Sequence, residues 1–166
     1  MRRLIAAVVL GVGIGWLAVG TAGHSPATCS LRGALPDRHC TPGVRRHEPA
    51  AAVCRLEPVP GRVPPVLVRL VYEIYGIHHS QRARYRIDEL VPRELGGRLV
   101  SHNLWPEPVA GPPPASAKRA LDARLRALVC AGRLSLRVAQ NRVADNWIAA
   151  YDALRPRPVP AATPGA

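Results

Sequence analysis

The sequence predicts an α+β domain stabilised by disulfides, and three observations support this prediction. The chain has 166 residues, about the length of one domain. A short segment with strand-like alternation precedes a Gly-Gly pair, a second segment with apolar residues returns after it, and two amphipathic helical segments follow. Four cysteines follow an apolar N-terminal segment, and an even number of cysteines in an exported chain indicates disulfides.

The N-terminal segment predicts export. Arg2 and Arg3 precede residues 4–22, a run of 19 residues without a charge, and Gly23 follows. We expect residues 1–23 to be a cleaved signal peptide or, alternatively, an N-terminal membrane anchor. Either interpretation places the remainder of the chain in a secreted, periplasmic or cell-surface location.

Export to an oxidising compartment favours disulfides at Cys29, Cys40, Cys54 and Cys130. None of the four belongs to a C-x-x-C pair, so a zinc cluster is not expected. Four cysteines allow three pairings. We favour Cys29–Cys40, which closes a local loop, with Cys54–Cys130, and buried free thiols are the alternative.

The charge of the chain indicates a polyanionic partner. It has 23 basic and 11 acidic side chains, a formal net charge of +12, and all the basic residues except Lys118 are arginines. DNA or another polyanion is the expected partner. The alternative is a basic surface that serves only solubility. No small-molecule cofactor is expected, and the sequence leaves the oligomeric state open.

Three segments follow the predicted signal. Residues 24–65 are rich in proline and are predicted to be irregular, residues 66–154 form the α+β domain, and residues 155–166 are expected to be a disordered tail. The elements predicted inside the domain are a helix over 66–75, strands over 84–91 and 98–105, and helices over 115–131 and 135–154.

Prolines and glycines delimit the predicted hairpin. Pro92 is expected to end the first strand, Gly96 and Gly97 permit the reversal, and Pro106 and Pro108 are expected to end the second strand. The two tryptophans of the domain, Trp105 and Trp147, occupy hydrophobic spacings and are predicted to be core residues rather than base-stacking platforms.

An ordered series of short motifs runs through the domain. It comprises YRIDELVPRELGG at 85–97, NLWPEP at 103–108, Lys118 and VCAG at 129–132. In this order the motifs resemble small exported bacterial proteins with an HNH-type (ββα-metal) nuclease core, over most of residues 40–151. The resemblance implies a small hairpin-helix core with additional helices, in which the hairpin and the following helix carry the chemistry.

In the HNH plan a divalent metal stabilises charge on the scissile phosphate, a histidine deprotonates water, and an asparagine orients that histidine. The resemblance implies that Asp88 binds the metal, which would be Mg²⁺, Mn²⁺ or Zn²⁺, and that Asn103 is the orienting amide. Glu94 also matches the family pattern.

Two positions depart from that pattern. Glu89 stands where the family has its general-base histidine, and Arg119 follows Lys118 where the family has an aspartate. Because a carboxylate has an ordinary pKa of about 4.3, it is a weaker base at neutral pH. Glu89 or the nearby His102 is therefore the altered base, or Arg119 pairs with the acids and the site holds no metal.

Five basic residues are predicted to contact phosphates of a nucleic acid, and a solvated basic face is the alternative. They are Arg84, Arg86, Arg93, Lys118 and Arg119. The first function hypothesis is metal-dependent phosphodiester hydrolysis, impaired or altered by the loss of the histidine. The second is a non-catalytic exported protein, derived from the nuclease fold, that binds a polyanion or a partner. A disulfide-stabilised structural protein without a ligand is the third.

Overall fold

The computed structural model describes residues 29–55, 57 and 61–155. The predicted signal peptide at 1–23 lies outside the described residues, as does the predicted tail except for Arg155. In the described part of the chain the predicted α+β class is confirmed, with α-helices and a two-stranded antiparallel sheet. None of the helices described is long and apolar enough to cross a membrane.

The helices agree closely with the sequence periodicity. The elements in chain order are α1 (Ala50–Arg55), α2 (Pro65–Ile74), β1 (Tyr85–Glu89), β2 (Leu104–Pro108), α3 (Ala115–Cys130) and α4 (Leu136–Leu154). Pro65 is the first residue of α2, where its missing N–H costs no helical hydrogen bond. Ser135 caps α4 by accepting a hydrogen bond from the Val138 N–H.

The hairpin forms as predicted, but its second strand is displaced along the chain. β2 covers Leu104–Pro108 instead of 98–105, so the prediction that Pro106 and Pro108 end the strand is wrong. Pro106 pairs with Ile87 of β1. Each strand of a two-stranded sheet has a free edge, and a proline there removes no ladder hydrogen bond.

The loop between the strands contains two short 3₁₀ helices, Arg93–Leu95 and Ser101–Asn103. Gly97 lies between them in close contact with the preceding chain, because a Cβ atom at this position would lie 1.8 Å from the Val91 carbonyl oxygen. The loop therefore folds back on the end of β1, and only glycine fits at the point of contact.

The core lies between the hairpin and helices α2, α3 and α4. Trp105 and Trp147 are fully buried in it, as predicted. The Trp147 indole N–H donates to the Ala34 carbonyl at 2.8 Å, which ties the segment before α1 to α4. Because the rings of Trp105 and Trp147 are buried, neither ring can stack on bases.

The favoured disulfide pairing, Cys29–Cys40 with Cys54–Cys130, is confirmed. The second bridge joins α1 to the end of α3, across 76 residues of sequence. Two disulfides indicate an oxidising environment. The six-residue α1 lies in the segment predicted to be irregular, where its length gave no periodic signal.

Candidate functional site

A cleft of about 610 Å³ lies between β1, the loop that follows it and α3. Its walls combine apolar side chains such as Val63 and Ile87 with many charged ones. The charged lining residues are Arg86, Asp88, Glu89, Arg93, Glu94, Arg119, Asp122 and Arg126. The cleft therefore brings together most of the residues to which the sequence assigned chemistry.

The chemical centre of this region is the ammonium group of Lys118, which is fully buried. It donates to both carboxylate oxygens of Asp122, at 2.7 and 2.9 Å, and to the Glu89 carbonyl oxygen at 3.3 Å. A carboxylate oxygen of Asp88 lies 4.0 Å from the same nitrogen. Lys118 and Asp122, one turn apart on α3, therefore form an ion pair whose ammonium group lies inside the protein.

A second buried acid, Glu107, lies next to this group and was not singled out from the sequence. It stands opposite Arg86 in the sheet, forms an ion pair with it, and is 1% exposed. Burial, reinforced by repulsion from Asp88, raises the pKa of Glu107 to about 7. Only the register of the hairpin, which pairs Glu107 with Arg86 of β1, would have indicated the role of this acid.

Arg86, Asp88, Glu107, Lys118 and Asp122 are called here the buried charge cluster. Burial raises the pKa of Asp122 to about 7, against the attraction of Lys118. Burial lowers the pKa of Lys118, but attraction to Asp122 and Asp88 outweighs it and the net shift is upward. The ammonium therefore keeps its charge at neutral pH, while three carboxylates compete for two cations.

Glu89, at the position of the family's histidine, is held by one arginine. Its two carboxylate oxygens accept hydrogen bonds from the Arg93 guanidinium at 2.6 Å and from the Arg93 backbone N–H at 2.9 Å. Burial raises the pKa of Glu89, and its attraction to Arg93 partly opposes that shift. To act as a base, Glu89 must first lose its ion pair with Arg93.

Asn103 is fully buried, and its amide holds the loop between the strands. Its Oδ1 accepts from the Val91 N–H at 2.9 Å, and its Nδ2 donates to the carbonyls of Val91 at 2.8 Å and Arg98 at 3.0 Å. It does not line the cleft with Asp88. Both amide hydrogens are thus used by the backbone, and the side chain does not share the cleft with the acid it was expected to work beside.

His102, the other candidate base, is exposed and does not line the cleft. Its carbonyl oxygen accepts hydrogen bonds from the N–H groups of Gly43 and Val44, which anchors the loop to the segment before α1. The imidazole has no described contact with either acid at the end of β1.

The five residues predicted to contact phosphates differ in their exposure and in their ion pairs. Arg84 and Arg119 are exposed, and Arg119 also lines the cleft. Arg86 and Arg93 are half-buried and paired with Glu107 and Glu89, respectively.

Lys118 is the one of these five that cannot act as predicted, because its buried ammonium does not reach an external phosphate. The structure also corrects the alternative in which Arg119 fills the place of the metal. The cations beside Asp88 are Arg86 and Lys118, whose nitrogens lie 3.8 and 4.0 Å from its carboxylate oxygens.

The residues around Asp88, as they are arranged, do not fit a divalent metal. A lysine ammonium already faces this carboxylate, and Arg93 holds the neighbouring Glu89. Among the described residues there is no group of three or more His, Cys, Asp or Glu side chains placed to hold a metal ion.

Comparison with known proteins finds no significant match to this chain among family models, curated proteins or solved structures.

Proposed function

We propose that this protein binds double-stranded DNA through the arginine-rich surface around the cleft, and does not cleave it by the metal-dependent HNH route. One observation carries the proposal. The two acids at the end of β1, Asp88 and Glu89, face cations of the protein itself, Lys118 and Arg93. The positions that the HNH plan uses for metal and base are thus engaged in ion pairs.

The distribution of charge supports an external polyanion. The buried charge cluster and the Glu89–Arg93 pair together contain three of the 23 basic side chains and four of the 11 acidic ones. The other 20 basic side chains, or 18 if Arg2 and Arg3 are removed with the predicted signal peptide, are therefore opposed by only seven acidic ones. An excess of this size attracts a polyphosphate backbone and makes the binding sensitive to salt.

Arginine supplies the contacts that DNA requires. Its planar guanidinium binds phosphate oxygens in a bidentate manner, and Arg84 and Arg119 are exposed where a backbone can reach them. The resemblance to nucleases that hold a duplex favours double-stranded DNA as the polyanion. The fold around the hairpin then serves as a scaffold for these arginines.

The test is the fluorescence anisotropy of a short labelled duplex titrated with the protein at several salt concentrations. We expect affinity to fall steeply with salt, and Arg119→Gln to weaken binding and to reduce the salt slope by about one. Arg142→Gln, at an exposed arginine of α4 that does not line the cleft, is the matched control. No binding at low salt, or equal losses in both variants, would contradict the proposal.

Hydrolysis by an altered site is a second candidate, favoured by one observation. Asp88 and Glu94, the two acids that match the nuclease pattern, both line the cleft. Plasmid nicking in the presence of Mg²⁺, Mn²⁺ or Zn²⁺ separates this candidate from binding alone.

A further inference from the structure

We infer that the cleft binds one unpaired base of a DNA duplex through the backbone N–H and C=O groups of Ile87. The inference rests on the proposed function, because the exposed arginines around the cleft must first hold the duplex. It adds a preference that phosphate contacts alone do not give, namely for a duplex in which one nucleotide has no partner.

The hydrogen bonds of the hairpin leave the backbone of Ile87 unpaired. The Leu90 N–H donates to the Asn103 carbonyl at one end of the hairpin, and the Val109 N–H donates to the Arg84 carbonyl at the other. Bonded and non-bonded pairs alternate in an antiparallel ladder. Ile87 is an odd number of residues from both Leu90 and Arg84, so it falls in a non-bonded pair. Its N–H and C=O therefore point away from β2, toward the free edge of β1.

The outward carbonyls on either side of Ile87 are capped by side chains. The Tyr72 hydroxyl donates to the Tyr85 carbonyl at 3.3 Å, and the Lys118 ammonium donates to the Glu89 carbonyl at 3.3 Å. In the part of the chain that the structure describes, neither the N–H nor the C=O of Ile87 has such a partner. Free strand edges in proteins are usually covered or blocked. This one is open at Ile87, which presents one donor and one acceptor to a ligand.

The open edge of β1 lies along the cleft. Residues 86–89 are consecutive, and their side chains alternate between the two faces of the sheet, yet all four residues line the cleft. One cleft borders both faces of a strand only where it runs along the edge of that strand. Lys118 of α3, which forms the opposite wall, reaches the Glu89 carbonyl at this same edge. The open groups of Ile87 therefore face the cleft.

The interior of the cleft suits an uncharged, planar group. Its volume of about 610 Å³ lies within the range of about 300–1,000 Å³ that is typical of small-molecule sites. Four arginines and four acids line it, so the formal charges of the lining cancel. The apolar lining residues are Val63, Ile87, Pro92, Ala123 and Ala127. A phosphate gains little from a lining without net charge, whereas a neutral base buries its flat faces against the apolar side chains.

The open backbone groups match the Watson–Crick edge of a base, where a donor and an acceptor stand side by side. In a paired nucleotide these groups are bonded to the opposite strand, and extruding the base costs its pairing and stacking energy. This cost is smallest for a base that has no partner. The phosphates of the same nucleotide stay at the rim of the cleft, where Arg119 is exposed.

The test is fluorescence anisotropy of the mature protein with three labelled duplexes that differ at one position. The first duplex is fully paired, and the second carries one additional, unpaired adenine. The third carries an abasic nucleotide in place of that adenine, so it keeps the extra backbone but lacks the base. We expect the wild type to bind the second duplex about tenfold more tightly than the first or the third.

Two variants test the position of the base. Ala123→Phe fills the cleft from α3 and should reduce the tenfold preference to about one. Ala149→Phe, at an exposed residue of α4 that does not line the cleft, is the matched control and should keep the preference. Circular dichroism checks that both variants fold.

A second readout needs no variant. The unpaired adenine is replaced with 2-aminopurine, a fluorescent base that is quenched by stacking on its neighbours. Its emission should rise when the wild type binds, because the base leaves the stack and none of the described lining residues is aromatic.

The outcomes separate this inference from the proposed function. Equal affinity of the wild type for the adenine and abasic duplexes, an undiminished preference in folded Ala123→Phe, or unchanged 2-aminopurine emission overturns the inference and leaves the binding of duplex DNA intact. Absence of binding to all three duplexes at low salt overturns the proposed function, and the inference with it.

Discussion

The ammonium nitrogen of Lys118 lies 4.0 Å from a carboxylate oxygen of Asp88, at the end of the strand where an HNH-like core would hold its metal. The lysine is fully buried on α3. Its ammonium also donates a hydrogen bond to Asp122, which lies one turn away on the same helix. The negative charge of Asp88 is therefore met by the protein itself. This relationship connects the predictions about stability, pH and catalysis.

Asn103 is predicted to stabilise the loop after β1 instead of orienting a base. Asn103→Ala removes one acceptor and two donated hydrogen bonds and leaves buried backbone groups of Val91 unpaired. We expect a loss of about 2–4 kcal/mol in the free energy of unfolding, measured by urea denaturation.

Two variants check this assignment. Asn103→Asp keeps the shape but cannot donate to the two carbonyls, so it should also destabilise the fold, whereas Gln81→Ala, at an exposed residue, should change stability by less than about 0.5 kcal/mol. Full stability in Asn103→Ala, combined with altered nucleic-acid chemistry, would restore the orienting role.

Glu107 is predicted to make the protein less stable as the pH rises. Its pKa is raised from 4.5 to about 7 in the folded state, so the folded state retains a proton that the unfolded state has released over this range. Stability is therefore lost between about pH 4.5 and pH 7, by an amount on the order of 3 kcal/mol from this group. Asp122, also raised to about 7, adds a loss of the same sign.

Urea denaturation from about pH 5 to about pH 8 measures this slope. Glu107→Gln mimics the protonated acid and should flatten the pH dependence, while Glu73→Gln, at an exposed position of α2, should leave it unchanged. A wild-type protein that gains stability with rising pH would show that Glu107 is ionised throughout and fully compensated by Arg86.

The two disulfides are predicted to contribute unequally. In the chain-entropy model a bridge across 76 residues stabilises by about 4 kcal/mol and one across 11 residues by about 3 kcal/mol. The paired variant Cys54→Ala/Cys130→Ala should therefore lose more unfolding free energy than Cys29→Ala/Cys40→Ala. The reverse order in urea denaturation would indicate that packing of the buried Cys29 outweighs loop closure.

Much of the fold was predictable because local signals dominate it. The spacing of apolar residues defined α2, α3 and α4 to within about a residue, and the cysteine pairing favoured among the three possible ones is the pairing observed. The position of β2 was not predictable in the same way, because a proline blocks a strand only where its N–H is needed. The proline N–H is not needed in β2 because this strand has a single neighbouring strand in the described structure. The number of strands in the sheet cannot be read from the sequence.

The candidate site was predicted only in part, since its chemistry depends on which groups meet. Asp88, Glu89 and Arg119 were named from the motifs and do line one cleft. The burial of Lys118 and the role of Glu107 depend on the helix and strand that face β1. A lysine is predicted from sequence to lie at the surface, and only the tertiary packing shows that Lys118 is buried.

The most direct test of the central claim is incubation of the mature protein with supercoiled plasmid in Mg²⁺, Mn²⁺ or Zn²⁺, followed on one agarose gel beside Glu89→His. We predict that both proteins retard the plasmid, that high salt abolishes the retardation, and that neither protein nicks the DNA. Glu89→His is not expected to restore cleavage, because it leaves the Lys118 ammonium beside Asp88. Metal-dependent nicking by the wild type would contradict the account.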